Sequence, residues 1–486
     1  MIRTRAVIKY LGYVLIFNAL FLFIASAISL VYGEKSLYAL LFSALMCTIL
    51  GIFPQIFVEK IDEITFQEGL TISVFGWITT CIVGMVPYLI WGGDFTFVNA
   101  LFESISGYTT TGSTIIIDIE SQPKGILFFR ASTHFIGGVG IILFVLLILP
   151  NAKGARSSIY KTEVSGLSML NFKMPPRHIG RTITLVYISL NLTETLILWA
   201  VGMNLFDAVC HSFATIATGG FSTKNLSIAA YNNVWIEVVI SIFMVLGGMH
   251  LGMLYSTFKG HKNNIFRSKV VRSYVTIFVI GIILVALKLT ADGVYGWWES
   301  LRHASFQIIS LVTTTGFATV DTTVWPMFTI VLLIYFSIQC AMIGSTTGGL
   351  KFDRVYLFYK TFVRQIKQIQ HPNGVYVTKM DNAVITPDME IKSVVYIIIY
   401  FVIILISTLI LSAMDIEGMT SFSASIATLG TVGPGFSEVG SLCNFNGLPD
   451  AAKYVLSVNM LLGRLEIMNI FVLLLLISKK EFKFVQ

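Results

Sequence analysis

Four short segments rich in threonine and glycine recur along the chain, each at the end of an apolar stretch. They cover residues 107–115, 216–222, 312–318 and 430–436, and they align on Gly112, Gly219, Gly316 and Gly433. A glycine that follows small or β-branched residues lets the backbone run extended with its carbonyls turned to one side. Converging loops with such carbonyls replace the water shell of a dehydrated cation in ion-selective filters. The pattern therefore predicts a cation filter built from an internal fourfold repeat.

A helix-breaking run lies in the third repeat. Every repeat carries an apolar-apolar-glycine step, 25 to 30 residues after its aligned glycine, that ends at Gly137, Gly247, Gly344 and Gly463. The third step continues as Gly344, Ser345, Thr346, Thr347, Gly348 and Gly349. Glycines and hydroxyl residues also mediate close packing of membrane helices, and this alternative stays open for the first two repeats. For the third, a broken segment at membrane depth is tolerated where it lines a cavity, so we expect an intramembrane loop there.

Arg464 follows the same step in the fourth repeat, near the middle of the last apolar stretch. A charge at that depth costs on the order of 3 kcal/mol on insertion scales. Glu466 is two residues away and points elsewhere on a helix, so it does not neutralise Arg464. An ion pair with a carboxylate of another helix is one explanation. Our hypothesis is that Arg464 faces the pore and forms a gate with the run from Gly344 to Gly349.

Composition places the chain in a membrane. Of its 486 residues, 55% are hydrophobic and 12% are charged, whereas soluble domains carry about 25% charged residues. The five cysteines are odd in number and contain no Cys-x-x-Cys pair, which indicates packing or loop residues rather than disulfides or a metal site. No nucleotide-binding loop or nucleophile-base signature is present, so we expect neither an enzyme nor a tightly bound organic cofactor.

Apolar runs predict an all-α polytopic protein with four parallel helix–pore loop–helix repeats around a central pore, after an extra pair of transmembrane helices. The pair spans 10–32 and 37–58 within a segment 1–68, and the repeats are 69–160, 161–260, 261–365 and 366–486. Runs of about 20 residues cross a bilayer; before the loops they cover 70–91, 182–201, 270–290 and 393–414, and after the loops 125–149, 234–258, 326–350 and 454–477. The stretches 95–108, 205–217, 297–313 and 420–429 are too short to span and fit re-entrant helices.

Basic residues set the orientation. Two full crossings separate successive loops, so all four loops enter from one side. The connections 151–181, 259–272 and 351–392 contain 6, 5 and 7 lysines and arginines, and Lys479, Lys480 and Lys483 follow at the end. The positive-inside rule makes these connections and both termini cytoplasmic. The filter side is mostly acidic, which predicts a mouth that attracts cations. Contact of the basic loops with anionic lipid is favoured over nucleic-acid binding.

Five further polar residues lie inside the apolar runs: Arg130, His134, Glu194, His250 and Lys288. We interpret them as structural bonds, helix pairs or interfacial side chains rather than as ion ligands.

With these motifs in view, the chain resembles the Trk/Ktr/HKT superfamily of potassium uptake proteins over essentially its whole length. The length and the N-terminal helix pair favour the membrane subunit of bacterial Trk systems over the shorter Ktr form. The resemblance implies a potassium filter formed mainly by backbone carbonyls around Thr110, Thr111, Gly112, Ala217, Thr218, Gly219, Thr314, Thr315, Gly316, Thr431, Val432 and Gly433. It also implies that the run from Gly344 to Gly349 is a gating loop opposed by Arg464.

Further expectations follow from the same resemblance. Members form homodimers with one pore per protomer in the bacterial inner membrane, and they bind a cytosolic TrkA-type ring that senses nucleotides. In plant relatives a serine in place of the first filter glycine accompanies sodium permeation, and Gly112 here favours potassium. The chain departs from the family pattern at Ala217 and Ser113.

The sequence thus predicts potassium-selective uptake. The alternative is a symporter that couples potassium to H⁺ or Na⁺, and a non-conducting receptor or scaffold conflicts with four separate filter loops. Loss of flux on removal of the co-ion would distinguish a symporter from a channel.

Overall fold

The computed structural model describes residues 2–59, 64–140, 176–260, 264–381 and 383–478. Across these ranges the fold is α-helical, with two pairs of two-residue strands: parallel Gln339–Cys340 and Leu350–Lys351, and antiparallel Lys379–Met380 and Ala383–Val384. Short 3₁₀ turns occur at Ser227–Tyr231 and Ser437–Val439. The predicted all-α polytopic fold is confirmed.

The N-terminal pair consists of two long antiparallel helices, Thr4–Val31 and Leu37–Phe57. They approach closely at two glycines. A Cβ on Gly12 would lie 2.6 Å from the carbonyl oxygen of Gly51, and a Cβ on Gly51 would lie 2.8 Å from that of Gly12. Small residues permit this kind of backbone contact between membrane helices. The first helix starts six residues earlier than the apolar run indicated, and its N-terminus is fixed by an ion pair between Arg3 and Glu68.

Each of the four following segments, called repeats 1 to 4, contains an outer helix, a pore helix, a loop and an inner helix. The outer helices are Phe66–Gly84 (continued by Val86–Trp91), Pro176–Ala200, Lys269–Ala291 and Pro387–Ser412. The pore helices are Phe97–Tyr108, Leu205–Ile216, Trp297–Val312 and Gly418–Leu429. The inner helices are Lys124–Val139, Val234–Gly248, Met327–Ile338 and Asp450–Arg464.

Polar and apolar residues are distributed as a bilayer requires. The outer helices expose large apolar side chains, such as Leu192 at 61% and Leu409 at 60%. The pore helices keep polar residues inside the protein, among them Asn99, His211 and Gln307. With 12 to 16 residues each, the pore helices are shorter than the roughly 30 Å needed to cross the hydrocarbon layer. Their predicted re-entrant character agrees with these lengths.

The inner helices of repeats 2 and 4 differ from the prediction because they are broken, whereas a break was expected in repeat 3. In repeat 2 the predicted span 234–258 divides into Val234–Gly248 and Leu251–Phe258, which bend by 104°. In repeat 4 the span 454–477 divides into Asp450–Arg464 and Ile467–Ser478, bent by 101°. In repeat 3, Met327–Ile338 ends before the helix Phe352–Gln370. The end of the span 125–149 and the basic connection 151–181 lie largely outside the described residues.

Local chemistry explains two of these breaks. At the first, the Nδ1 atom of His250 accepts a hydrogen bond from the Gly252 amide at 3.1 Å and caps the new helix. At the second, Glu466 adopts a φ of 62°, which ends a right-handed helix. Within the described part of the chain, six helices are long and apolar enough to span a bilayer, or eight if each bent pair is one span.

Candidate functional site

All four pore helices end in the same way. The second residue after each helix is a threonine with positive φ: Thr110 at 54°, Thr218 at 55°, Thr314 at 53° and Thr431 at 52°. Each threonine amide donates to the carbonyl three residues back, and the next amide donates to the carbonyl five residues back. This pair of bonds is a Schellman motif, in which glycine normally takes the left-handed position.

Threonine is an unfavourable residue for that conformation. The left-handed region costs an L-residue about 1–2 kcal/mol, and such strain persists only where the surrounding structure imposes it. All four threonine side chains are fully buried. Within the described residues, the hydroxyls of Thr110, Thr314 and Thr431 make no hydrogen bond, whereas that of Thr218 lies 3.2 Å from the hydroxyl of Thr346. The strained turns thus place four buried hydroxyls at equivalent positions.

The four loops close into a ring two residues later. A Cβ on any of four glycines would overlap the carbonyl oxygen of the next loop: Gly112 meets Gly219, Gly220 meets Thr315, Gly316 meets Val432 and Gly433 meets Thr111. All four glycines have positive φ, between 78° and 103°. The order of contacts runs from repeat 1 through 2, 3 and 4 back to 1. The four loops therefore contact one another in a closed ring.

The ring corrects the alignment of repeat 2. We expected Gly219 to match Gly112, but Gly220 has the positive φ and the carbonyl contact. The residues equivalent to 110–112 are therefore Thr218, Gly219 and Gly220, and Ala217 is the C-cap of the pore helix. Two adjacent glycines made the sequence alignment ambiguous, and only the backbone conformation distinguishes them.

Inner-helix glycines support the ring from behind. A Cβ on Gly137, Gly247 or Gly463 would crowd the carbonyl oxygen of the last pore-helix residue, which is Tyr108, Ile216 and Leu429 respectively. The glycine steps noted in the sequence thus let inner helices of three repeats contact their own pore helices. Gly344 of repeat 3 does not, since a Cβ there would meet the ring of His250 instead.

Residues 341–349 of repeat 3 form a loop beside the threonine turns of the ring. Its ends are joined by the parallel pairing of Gln339–Cys340 with Leu350–Lys351. The hydroxyl of Thr346 donates to the carbonyl of Ile216 at 2.9 Å, and a Cβ on Gly348 would overlap the side chain of Thr431. The Gly349 amide donates to the carbonyl of Gly463 at 3.2 Å. The loop therefore touches the positive-φ threonines of repeats 2 and 4, Thr218 and Thr431.

Arg464 connects this loop to the opposite side of the ring. Its guanidinium donates to the carbonyl of Thr346 in repeat 3, and to the carbonyls of Gly137 and Gly138 in repeat 1, the last at 2.9 Å. Repeats 1 and 3 are not neighbours in the ring. Arg464 belongs to repeat 4, which neighbours both, so its guanidinium joins three repeats. Glu466 pairs with Arg354 at 2.6 Å, a partner that the sequence had not indicated.

A buried ion pair holds the mouth of the ring. Arg130 is 2% exposed and Glu103 is fully buried, and they lie 2.6 Å apart. Glu103 also accepts a hydrogen bond from the Ile115 amide, and Arg130 donates to the carbonyl of Ser222. The pair therefore ties loops 1 and 2 to the helices behind them. Arg130 thus makes structural bonds, as do His250, which caps a helix, and Lys288, which pairs with Asp292 at 2.8 Å.

The charged side chains that line the cavity at the mouth of the ring are both basic, and acidic side chains lie outside its lining. Arg130 and Lys224 line it together with Asn225 and Ser113. Of the acids on this side, Glu120 lies 3.5 Å from Lys224. Hydrogen bonds from Asn225 hold the pKa of Asp118 below its usual range, and those from Ser437 and Thr420 do the same for Glu417. These two exposed acids remain ionised, while Glu103 is neutralised by Arg130.

Sequence reasoning missed three participants. Gly220 was hidden by its neighbouring glycine, and Thr346 was placed in the gating run without its bond to Thr218. The pairing of Glu103 with Arg130 was not predicted, although an acid and an arginine in adjacent apolar segments are a signal for a buried pair.

The geometry agrees with comparisons to known proteins. The family model TrkH, described as a cation transport protein, matches residues 42–484. The chain belongs to the TrkH family of cation transport proteins. Among its relatives, the Trk system potassium uptake protein TrkH of Escherichia coli strain K12 is 32% identical over 478 residues, covering 96% of this chain and 98% of the relative. TrkH of Vibrio parahaemolyticus is 31% identical, and the match covers 97% of this chain and 98% of the relative.

A solved structure supports the same placement. The crystal structure of the potassium transporter TrkH from Vibrio parahaemolyticus matches with a TM-score of 0.86 and 29% identity, over 97% of this chain and 99% of that one. The TrkH family consists of transporters rather than enzymes. The resemblance seen in the filter glycines, the broken third repeat and the late arginine is thereby confirmed at the level of the family.

The corrected register predicts that Gly220→Ala abolishes cation transport. The added Cβ would overlap the Thr315 carbonyl, and φ at this position is 78°. Rubidium uptake into proteoliposomes measures the effect. Gly447→Ala is the matched control, because a Cβ there meets no atom within 4 Å. Normal uptake by Gly220→Ala would contradict the register.

We expect Glu103→Gln to destabilise the protein by about 3–5 kcal/mol, because it leaves the buried guanidinium of Arg130 without a counter-charge. Thermal unfolding of the purified protein in detergent measures this. The double variant Glu103→Gln/Arg130→Met should regain much of the loss, since no buried charge then remains. A double variant less stable than Glu103→Gln would contradict this account.

Proposed function

We propose that this chain mediates selective potassium uptake across the bacterial inner membrane, with the ion passing through the ring of four loops. The observation that carries the proposal is the cyclic contact of each filter glycine with the carbonyl of the next loop. Two relatives that match nearly the whole chain are named potassium uptake proteins. Transport of potassium is therefore the activity that family and geometry favour together.

The filter acts by replacing the hydration shell of the ion. In this proposal the ion is bound by the carbonyls of Thr111, Gly219, Thr315 and Val432, each of which lies against the glycine of the preceding loop in the ring. The four strained threonines lie one residue earlier in the chain. Several oxygen sites in series let an ion enter without being held tightly. An inside-negative membrane potential supplies about 2.3 kcal/mol per charge per 100 mV, so uptake proceeds without chemical energy from the chain itself.

The run from Gly344 to Gly349 and Arg464 form the gate in this proposal. The loop contacts filter threonines of repeats 2 and 4, and the guanidinium bonds to repeats 1 and 3. A positive charge on the axis below the filter repels a potassium ion, and the loop narrows the same space. Opening requires the guanidinium to release the Thr346 carbonyl and the loop to withdraw.

Assembly and orientation extend the proposal beyond one protomer. Both termini and the basic connections face the cytoplasm, the protein is a homodimer, and a TrkA-type ring that binds nucleotides docks on the basic side. The connections 259–272 and 351–392 support this orientation. The segment 151–181 and Lys479, Lys480 and Lys483 fall wholly or mostly outside the described residues. Anionic lipid is the expected neighbour of these basic segments.

The second candidate is a symporter that couples potassium to H⁺ or Na⁺. The parallel arrangement of the four repeats around one axis favours a pore over the common inverted-repeat transporter. Flux that persists when Na⁺ and the pH gradient are both removed favours the channel, and flux that stops favours the symporter.

The filter is tested by the potassium-to-sodium permeability ratio of the purified chain in liposomes. We expect a potassium preference that falls in Gly112→Ser, because a side chain at Gly112 displaces the Gly219 carbonyl from the ring. Gly447→Ser is the matched control. An unchanged ratio in folded Gly112→Ser would contradict the proposal. Addition of a TrkA-type ring with ATP or ADP to the same liposomes measures its regulation.

For the gate, Arg464→Ala should raise potassium flux at low potassium, since it removes the charge and the bonds that join the loop to repeat 1. Arg464→Lys keeps the charge but not the forked geometry, and we expect an intermediate flux. If both variants show the same flux as the unaltered protein, Arg464 is not part of the gate.

A further inference from the structure

Filter loop 2 lacks a side chain that the other three loops have. The residue before the filter glycine is Thr111 in repeat 1, Thr315 in repeat 3 and Val432 in repeat 4, all fully buried. Thr111 bonds to the hydroxyl of Thr109 at 2.8 Å, and Thr315 bonds to that of Thr313 at the same distance. Each side chain thus packs against its own helix cap and fixes the carbonyl that it carries into the ring.

In repeat 2 both threonines of this pair are replaced by smaller residues. Ala217 stands at the helix cap and Gly219 stands before the ring glycine. Two small residues in sequence would leave space behind the ring and a glycine free to rotate. The structure fills that space from another repeat. A Cβ on Gly219 would coincide with the imidazole of His134, and Nδ1 is the nearest atom.

His134 is held in place by the mouth of the ring. It is fully buried on the inner helix of repeat 1, and its ring lies 4.1 Å from that of Phe221, centroid to centroid, in an edge-to-face arrangement. Arg130, one helical turn earlier, lies over the same phenyl ring at 3.5 Å and donates to the carbonyl of Ser222. The inner helix of repeat 1 therefore contacts loop 2 through two side chains, His134 and Arg130.

We propose that His134 is a positioning residue for ion selectivity, whose imidazole takes the place of the side chain absent at Gly219 and holds the Gly219 carbonyl in the ring. The inference deepens the proposed filter and rests on it. The role is steric, and it makes repeats 1 and 2 interdependent. It also explains why repeat 2 tolerates a Gly-Gly pair where the other loops have a larger residue.

The test compares three full-length variants in liposomes by their potassium-to-sodium permeability ratio. His134→Ala opens the space, so the ratio should fall severalfold while transport continues. Gly219→Thr alone should abolish transport, because its side chain overlaps His134. The double variant Gly219→Thr/His134→Ala supplies the threonine of loops 1 and 3 and removes the obstacle. We expect it to transport and to recover the potassium preference, so the two effects are non-additive.

Two further variants separate packing from other roles. His134→Leu is similar in volume and should keep most of the preference at every pH, which a titrating imidazole would not explain. His371→Ala, at an exposed histidine, is the control and should match the unaltered protein. If His134→Ala does not fold, the double variant decides, and a double variant that is unfolded or unselective overturns the inference.

The outcomes distinguish this inference from the proposed function. If the potassium-to-sodium permeability ratio is unchanged in both His134→Ala and Gly112→Ser, the proposed filter itself is wrong. A ratio that falls in Gly112→Ser but not in His134→Ala would overturn only the role of His134.

Discussion

The contact between each filter glycine and the carbonyl oxygen of the next loop is the constraint on which the rest of the structure depends. No side chain fits between them, so the loops approach until backbone meets backbone, and this sets the width of the ring. A strained threonine turn ends each pore helix and leads the chain into the ring. Inner-helix glycines in three repeats then allow the helices behind to close on the same point. The architecture is built inward from these contacts.

The mouth of the ring shows how a polar centre is held in an apolar protein. The pore helices carry hydroxyl, amide and charged groups that would be costly in lipid, and the outer helices surround them. Glu103 and Arg130 neutralise each other. Glu103 also accepts hydrogen bonds from loop 1, and Arg130 donates one to the backbone of loop 2. Phe221 packs between Arg130 and His134. The fourfold pattern is therefore supported by contacts that differ from one repeat to the next.

Below the ring the repeats diverge further. In the described part of the chain, the inner helices of repeats 2, 3 and 4 are broken; repeat 3 inserts a loop at its break, and repeat 4 supplies Arg464. In the proposed gate, this asymmetry lets one guanidinium bond to opposite sides of a ring that is nearly symmetric above it. A selective site and a movable barrier then occupy adjacent levels of the same pathway.

The sequence by itself determined the membrane class, the N-terminal pair, the order of outer and pore helices and the four glycine loops, because hydrophobic length and glycine spacing are local properties of a chain. It also singled out the run from Gly344 to Gly349 and Arg464. It did not determine that Gly220 rather than Gly219 completes the ring, that the inner helices of repeats 2 and 4 break, or that Glu103 pairs with Arg130. Those depend on φ angles and on contacts between residues distant in sequence, and only the packed tertiary structure decides them.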